Sequence, residues 1–255
     1  MKVISILSGG LDSTILTYKL INEYGNDNVY CLTFDYGQRH NIELNKAKNT
    51  CNKFKLNHKI LNMEFLGDII KDVSCLSSSS NLKTPSIKDV LGMPQPITYV
   101  PYRNLIFSSI ALSYAESVGA DKVYLGIQAH DLYQYWDCSE NFYKRINDVS
   151  NLNRQHNITI ETPFINMSKE EEIKIGIDLR VDFNDTWTCY NPYRKLETLD
   201  SYNIVLHQYK YLACGKCPSC AERIMNFAKA GIKDPIEYNI NIGWDELIEK
   251  NSNKD

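Results

Sequence analysis

The sequence predicts an α/β fold. A doubly wound, five-stranded parallel sheet of Rossmann-like type spans residues 1–185, and a small helical, cysteine-bearing lobe spans residues 186–255. Three observations predict it. Short apolar runs alternate with segments of helical spacing. The first apolar run ends at Ser8-Gly9-Gly10 and opens directly into a helix-spaced segment. Beyond Asp185 the alternation stops, and Cys189, Cys214, Cys217 and Cys220 fall in what remains.

Val3 to Leu7 is a short apolar run with the pattern of a strand buried on both faces. Leu11 to Tyr24 repeats apolar residues at Leu11, Ile15, Leu16 and Leu20 and stops at Gly25, which predicts a helix. Val29 to Phe34 is a second strand, His40 to Phe54 a helix, and Lys59-Ile60-Leu61 a third strand. Glu64 to Ile97, with four consecutive serines at 77–80, has no period. It is expected to be an irregular, mobile excursion over the sheet edge. Arg103 to Val118 is a helix with Ile106, Phe107, Ile110 and Tyr114 along one face. Lys122 to Ile127 and Asn157 to Glu161 are the fourth and fifth strands. Ser168 to Leu179 is a helix opened by the capping box of Ser168 and Glu171. Trp187 to Asp234 forms the cysteine-bearing appendage, and the tail Asn251 to Asp255 is expected to fray.

The 255 residues are 43% hydrophobic and 23% charged, ordinary values for a globular chain that buries its own core. A formal net charge of −3 disfavours a partner gripped through a phosphate backbone, so no direct nucleic-acid partner is expected. The N-terminal apolar stretch is too short for a signal peptide. No run approaches the length a membrane helix needs, so a cytoplasmic protein with no membrane partner is expected. Eight cysteines in that compartment read as metal ligands or buried thiols rather than disulfides.

Ser8-Gly9-Gly10-Leu11-Asp12-Ser13 lies between the first strand and the first helix. A helix N-terminus has free N–H groups and partial positive charge, glycines let the backbone approach an anion, and Ser8 and Ser13 add hydroxyl donors. The loop lacks the lysine and the spacing of a Walker-type P-loop. It resembles the pyrophosphatase (PP) loop of the adenine-nucleotide α-hydrolase superfamily, whose members cleave ATP between the α and β phosphates. Cys214-Gly215-Lys216-Cys217-Pro218-Ser219-Cys220 with Cys189 upstream supplies four thiolates for a closed tetrahedral zinc site of structural role. An iron–sulfur cluster uses the same ligands and stays open as an alternative. His207 reads as a surface residue rather than a fifth ligand.

Further segments carry a closer resemblance. Phe34-Asp35-Tyr36-Gly37-Gln38-Arg39-His40, Thr98 to Asn104, Gly126 to Asp131, Asp137-Cys138, Glu161-Thr162-Pro163-Phe164 with Ser168-Lys169, and Trp187-Thr188-Cys189-Tyr190 with the cysteine cluster are similar in order and spacing to the 7-cyano-7-deazaguanine synthase family. Arg223 and Phe227 follow, so the resemblance runs from Val3 to about Phe227. It implies adenylation of 7-carboxy-7-deazaguanine by ATP, capture by ammonia as an amide, and dehydration to the nitrile with a second ATP. It also implies that Ser8, Gly9, Gly10, Leu11, Asp12 and Ser13 hold the nucleotide, with Asp12 near Mg²⁺. Arg39, Arg103 and Lys169 join Asp12 as catalytic residues facing phosphate or carboxylate. Asp131, Tyr135 and Asp137, around a turn with Tyr133 and Trp136, are the expected contacts to a flat purine-like base.

The chain departs from the family at Tyr102, Gln134 and Trp136, and in the 24 residues Tyr190 to Ala213 between the cysteine ligands. That span holds Tyr190, Tyr193, Tyr202, Tyr209, Tyr211 and Ile204-Val205-Leu206, too apolar for a disordered linker. It is expected to form a private hairpin over the lobe or to meet a partner. As an alternative ranked below plain nitrile synthesis, it would alter access to the acyl-adenylate and admit a peptide or protein amine in place of ammonia, and the reaction would stop at an amide. A tRNA-thiolating enzyme and a non-catalytic nucleotide sensor are the rival readings on the same loop. A homodimer is the expected assembly.

Overall fold

The computed structural model describes residues 1–39, 41–90, 93, 95–129, 135–201 and 204–252, with the backbone alone for 198–201 and 204–208. Its central sheet has the strands β1 (Val3–Ile6), β2 (Val29–Asp35), β3 (Asn57–Asn62), β4 (Lys122–Leu125) and β5 (Thr159–Glu161), all parallel, in the order β3-β2-β1-β4-β5. β1 is central, with Val3 opposite Val29 on one side and Lys122 on the other. All four of its residues are buried, which is why the run is apolar throughout rather than alternating.

In chain order the helices are α1 (Leu11–Tyr24), α2 (Ile42–Phe54), α3 (Glu64–Ile70), α4 (Ile87–Val90), α5 (Arg103–Val118), α6 (Glu140–Ser150), α7 (Lys169–Asp178), α8 (Pro218–Lys229) and α9 (Trp244–Ser252). Neighbouring residues of β1 point to opposite faces and so enter different cores. Ile4 packs with Leu66 and Ile70 of α3, Phe107 and Ala111 of α5, and Tyr143 and Ile146 of α6. Val3 packs with Ile15 and Leu16 of α1, Ala47 and Cys51 of α2, Ile173 of α7 and Phe227 of α8. The chain is therefore doubly wound, as expected.

The segment 64–97 departs from the expected irregular excursion. Its first two turns are α3, and Leu66, Ile70, Cys75 and Leu76 are buried in the core. Arg39 holds the segment in place. Its backbone N–H donates to Leu76 O at 2.8 Å, and its Nη2 donates to Ser80 O at 2.8 Å and Leu82 O at 3.0 Å. Helix α6 was not anticipated. Phe142, Tyr143, Ile146 and Val149 recur at helical spacing along it, Tyr143 and Ile146 are its buried residues, and Ser139 caps it by accepting from Phe142 N. The expected fraying of the tail does not extend to Asn251 and Ser252, which close α9; Asn251 Nδ2 donates to Leu247 O at 2.7 Å.

The lobe has two attachments to the sheet domain. Trp187, Cys189, Ala213, Cys214, Cys217, Cys220 and Ile236 form a small cluster of their own, while Phe227 of α8 belongs to the core beside α1. Arg223, buried on α8, forms a two-pronged pair with Asp234 (Nε–Oδ2 2.6 Å, Nη2–Oδ1 2.9 Å) and also donates to Thr186 Oγ1 and Phe183 O. Between Cys189 and Cys214 the chain makes an antiparallel hairpin, β6 (Tyr193–Ser201) and β7 (Ile204–Leu212), with Tyr193 opposite Leu212. Tyr193, Leu196, Tyr209 and Tyr211 are exposed on it, and the Arg194 guanidinium lies over the Tyr209 ring. No helix among the described residues is long and apolar enough to cross a membrane.

Candidate active site

A cleft of about 310 Å³ opens at the carboxyl ends of β1, β2 and β4. This is the switch point of the sheet, where strand order turns from β1 toward β2 on one side and toward β4 on the other. The loop between β1 and α1 forms its floor. Gly9 has φ +87°, and a Cβ there would lie 2.0 Å from the Glu43 carbonyl oxygen of α2, so only glycine fits. Trp187 N donates to Gly9 O at 2.9 Å, tying the segment that enters the lobe to the same turn. Ser8 and Ser13 face each other, Oγ to Oγ at 2.9 Å; Gly10 N donates to Ser8 Oγ and Ser8 N to Ser13 Oγ. Helix α1 has no side-chain N-cap, and its first residues Leu11, Asp12 and Ser13 line the cleft. Gly126, just past β4, closes the opposite side; a Cβ there would lie 2.8 Å from the Asp12 carbonyl carbon.

Charged side chains converge on this loop. Lys169, the first residue of α7, reaches Asp12 with Nζ 2.7 Å from Oδ2. The capping box predicted for Ser168 and Glu171 is present and sets where α7 begins. Behind Lys169 lies buried Glu172, 3.7 Å away, whose Oε2 accepts from Gln128 Nε2 at 2.7 Å. Arg103 opens α5 on the far wall. Burial opposes its charge, but Tyr36, Cys138 and Asp137 around it outweigh that, and its pKa rises further. Glu43, half-buried on the first turn of α2, has its carboxyl pKa raised to about 7 by enclosure, with Arg103 pulling the other way. Arg39 lines the same cleft while its Nη2 holds the Ser80 and Leu82 carbonyls.

The expected base contacts divide. Tyr135 lines the cleft, with its OH 2.9 Å from Thr98 Oγ1 and its ring stacked on Tyr99 at 5.8 Å. Asp137 is buried rather than lining the cleft; burial raises its pKa, against the pull of Arg103. Asn104 Nδ2 donates to the Asp137 carbonyl at 3.1 Å, so this short turn is pinned to the start of α5. Asp131 lies outside the described residues. At the rim, Tyr102 takes a left-handed backbone (φ 54°) and meets Trp136 edge-on, and Trp136 Nε1 donates to Tyr99 OH.

The four cysteines meet as the spacing predicts. Their sulfurs all lie within 4.8 Å of one another and are buried, with Cys214 and Cys220 3.8 Å apart. Four thiolates about 2.3 Å from one tetrahedral ion stand roughly 3.8 Å apart, so the set fits a single metal. Backbone N–H groups of Cys214, Asn191, Lys216 and Cys217 donate to these sulfurs. Pro218 starts α8, which turns Cys220 back toward Cys217.

The family model described as queuosine biosynthesis protein QueC matches residues 2–231. The chain belongs to the QueC family. A 7-cyano-7-deazaguanine synthase from Caldicellulosiruptor saccharolyticus is 38% identical over 246 residues, covering 96% of this chain and 99% of that protein. One from Rickettsia felis is 37% identical, covering 93% and 99%. Among solved structures, the U34-tRNA thiolase NcsA from Methanococcus maripaludis with its [4Fe-4S] cluster matches at 17% identity and TM-score 0.44, over 71% of this chain and 58% of that one. The QueC match takes in the loop Ser8–Ser13, the cleft walls and all four cysteines, and stops just before Asp234 and α9.

Residues that sequence reasoning did not select also line the cleft: Tyr36, Glu43, Asn104, Trp187, Ser219 and Glu222. Tyr36, Asn104, Trp187 and Ser219 lie inside segments noted for their resemblance. Glu43 had no signal beyond an acidic residue in a helix's first turn, which the helix dipole alone explains.

Proposed function

We propose that the chain makes 7-cyano-7-deazaguanine from 7-carboxy-7-deazaguanine, ATP and ammonia. The observation that carries this reading is one cleft, in a QueC-family chain, that joins the anion loop Ser8–Ser13 to Lys169 and Arg103. A carboxylate is a poor electrophile because it is anionic. Its oxygen attacks the α-phosphorus, pyrophosphate leaves, and the acyl carbon gains AMP as a leaving group. Ser8, Ser13 and the free N–H groups of α1 hold the departing phosphates. Lys169 is held at the loop by Asp12 and neutralises charge that grows on the phosphates in the transition state. Asp12 would hold Mg²⁺, which supplies further charge neutralisation. Arg103 is fork-shaped and suited to the substrate carboxylate or the α-phosphate. Tyr135 offers a face for the deazapurine ring. Ammonia displaces AMP to give the amide, and the same site activates the amide oxygen with a second ATP for loss as AMP, leaving the nitrile.

The metal is zinc in this reading. One ion saturated by Cys189, Cys214, Cys217 and Cys220 leaves no position for water and fixes the lobe rather than reacting. The lobe in turn supplies Thr188, Tyr190, Ser219 and Glu222 to the cleft wall.

The test is product analysis by mass after incubation with ATP, 7-carboxy-7-deazaguanine and ammonium. The nitrile, with AMP and pyrophosphate, is expected. Release of ADP and phosphate, or no consumption of the carboxylate, would refute the proposal.

A further inference from the structure

We propose that Glu43 is a catalytic residue of the nitrogen-capture step, accepting the proton that the incoming amine must lose; this rests on the function proposed above. Placement carries it. The backbone of Glu43 packs so closely on Gly9 that no side chain fits between them, which seats the first turn of α2 against the loop Ser8–Ser13. It lines the cleft between that loop and Arg103. The other acidic groups are differently placed. Asp12 pairs with Lys169 and would hold Mg²⁺, Glu172 and Asp137 are buried and do not line the cleft, and Glu222 comes from α8 of the lobe. The charged and titratable groups that face Glu43 are Tyr36 at the end of β2, Arg103 on α5 and Tyr190 after Cys189.

The chemistry needs such a group. Ammonia adds to the acyl carbon of the adenylate and gives a tetrahedral adduct with a positively charged nitrogen. That nitrogen passes one proton to the Glu43 carboxylate. The C–N bond is retained, and the C–O bond to AMP breaks with its electron pair going to the phosphate. Amide and AMP form, and the protonated Glu43 releases its proton through the open cleft mouth. A carboxyl whose pKa stands near about 7 exchanges protons readily at neutral pH. Lys169 and Arg103 are cations and cannot take this proton.

The experiment separates activation from capture. Wild type, Glu43→Gln and Glu43→Asp are compared in ATP–pyrophosphate exchange with 7-carboxy-7-deazaguanine but no ammonia, in amide and nitrile formation from ammonia, and in hydroxamate formation from hydroxylamine. Hydroxylamine is less basic, and its adduct sheds a proton to water without help. Glu43→Gln is expected to exchange pyrophosphate at near the wild-type rate and to form hydroxamate. It should capture ammonia about 10²–10³-fold more slowly, with Glu43→Asp between. If exchange, hydroxamate and amide all fall together in Glu43→Gln while the protein stays folded, or if amide formation is unchanged, the assignment is overturned. Absence of exchange in the wild-type protein would instead remove the parent reading, and this one with it.

Discussion

Lys169 Nζ lies 2.7 Å from Asp12 Oδ2, and this contact joins the N-terminus of α7 to the N-terminus of α1 across the mouth of the cleft. A lysine at a helix start works against the helix dipole. Here the cost is offset by Asp12 and by Glu172 one turn on. Lys169 is 10% exposed and Glu172 is fully buried, so the ammonium contributes to folding as well as to the proposed chemistry at the loop.

Lys169→Ala should therefore move both, by different amounts. Its unfolding free energy should fall by about 1–3 kcal/mol in a urea titration, because Glu172 is left buried without its cation. Pyrophosphate exchange should fall by about 10²–10³-fold. Asp12→Asn should give a comparable loss of exchange with the fold retained. Full exchange activity in either variant would exclude the residue from the adenylation step.

Gly9→Ala should fail for a steric reason. The new methyl group would fall 2.0 Å from the Glu43 carbonyl oxygen at a φ of +87°. Strain of this kind costs about 1–3 kcal/mol from the backbone alone, and the loop must then part from α2. The expected result is a protein with a lowered Tm and no measurable ATP binding by calorimetry. Gly126→Ala, whose methyl group would press on the Asp12 carbonyl, should weaken ATP binding in the same way.

Elemental analysis of the protein as purified is expected to give about one zinc per chain, with no iron or sulfide. Substituting Cys220→Ser should lower metal content and thermal stability together, since structural metal binding is coupled to folding. Intact stability in a metal-free protein would contradict the structural role.

The buried pair of Arg223 and Asp234 gives a sharper stability test. Asp234→Ala leaves a guanidinium buried with its strongest partner gone and should cost about 3–5 kcal/mol in denaturant unfolding. Replacing both partners, Arg223→Met with Asp234→Leu, should recover much of that loss, because no charge is then left stranded.

The hairpin β6–β7 can be removed as a test of access. The strands pair with each other, and Lys210 reaches Glu237 as well as Glu197. A short linker in place of residues 193–212 should preserve the metal and leave nitrile formation within about threefold, less than 1 kcal/mol in barrier. A loss confined to one nucleophile would mean that the ribbon governs which amine reaches the adenylate.

What was legible in the sequence is what depends on near neighbours along the chain. The strand, loop and helix from Val3 to Tyr24 could be read because apolar runs, glycines and serines act within one turn of each other. The cysteines could be read because three of them lie at the spacing a single ion demands, and the capping box because its partners are three residues apart. Tertiary structure decided the rest. Only folding sets Lys169 against Asp12, Glu43 against Gly9 and Arg223 against Asp234, because each contact joins elements that meet only when the sheet and the lobe close. The same holds for α3 and the segment after it. Its polarity suggested a loose excursion, but Leu66, Ile70, Cys75 and Leu76 find a core already half-built by β1, β2 and α5. Local chemistry determined where an anion and a metal would bind; long-range packing decided which side chains surround them, since burial and charge pairing are properties of the assembled interior and not of any window of sequence.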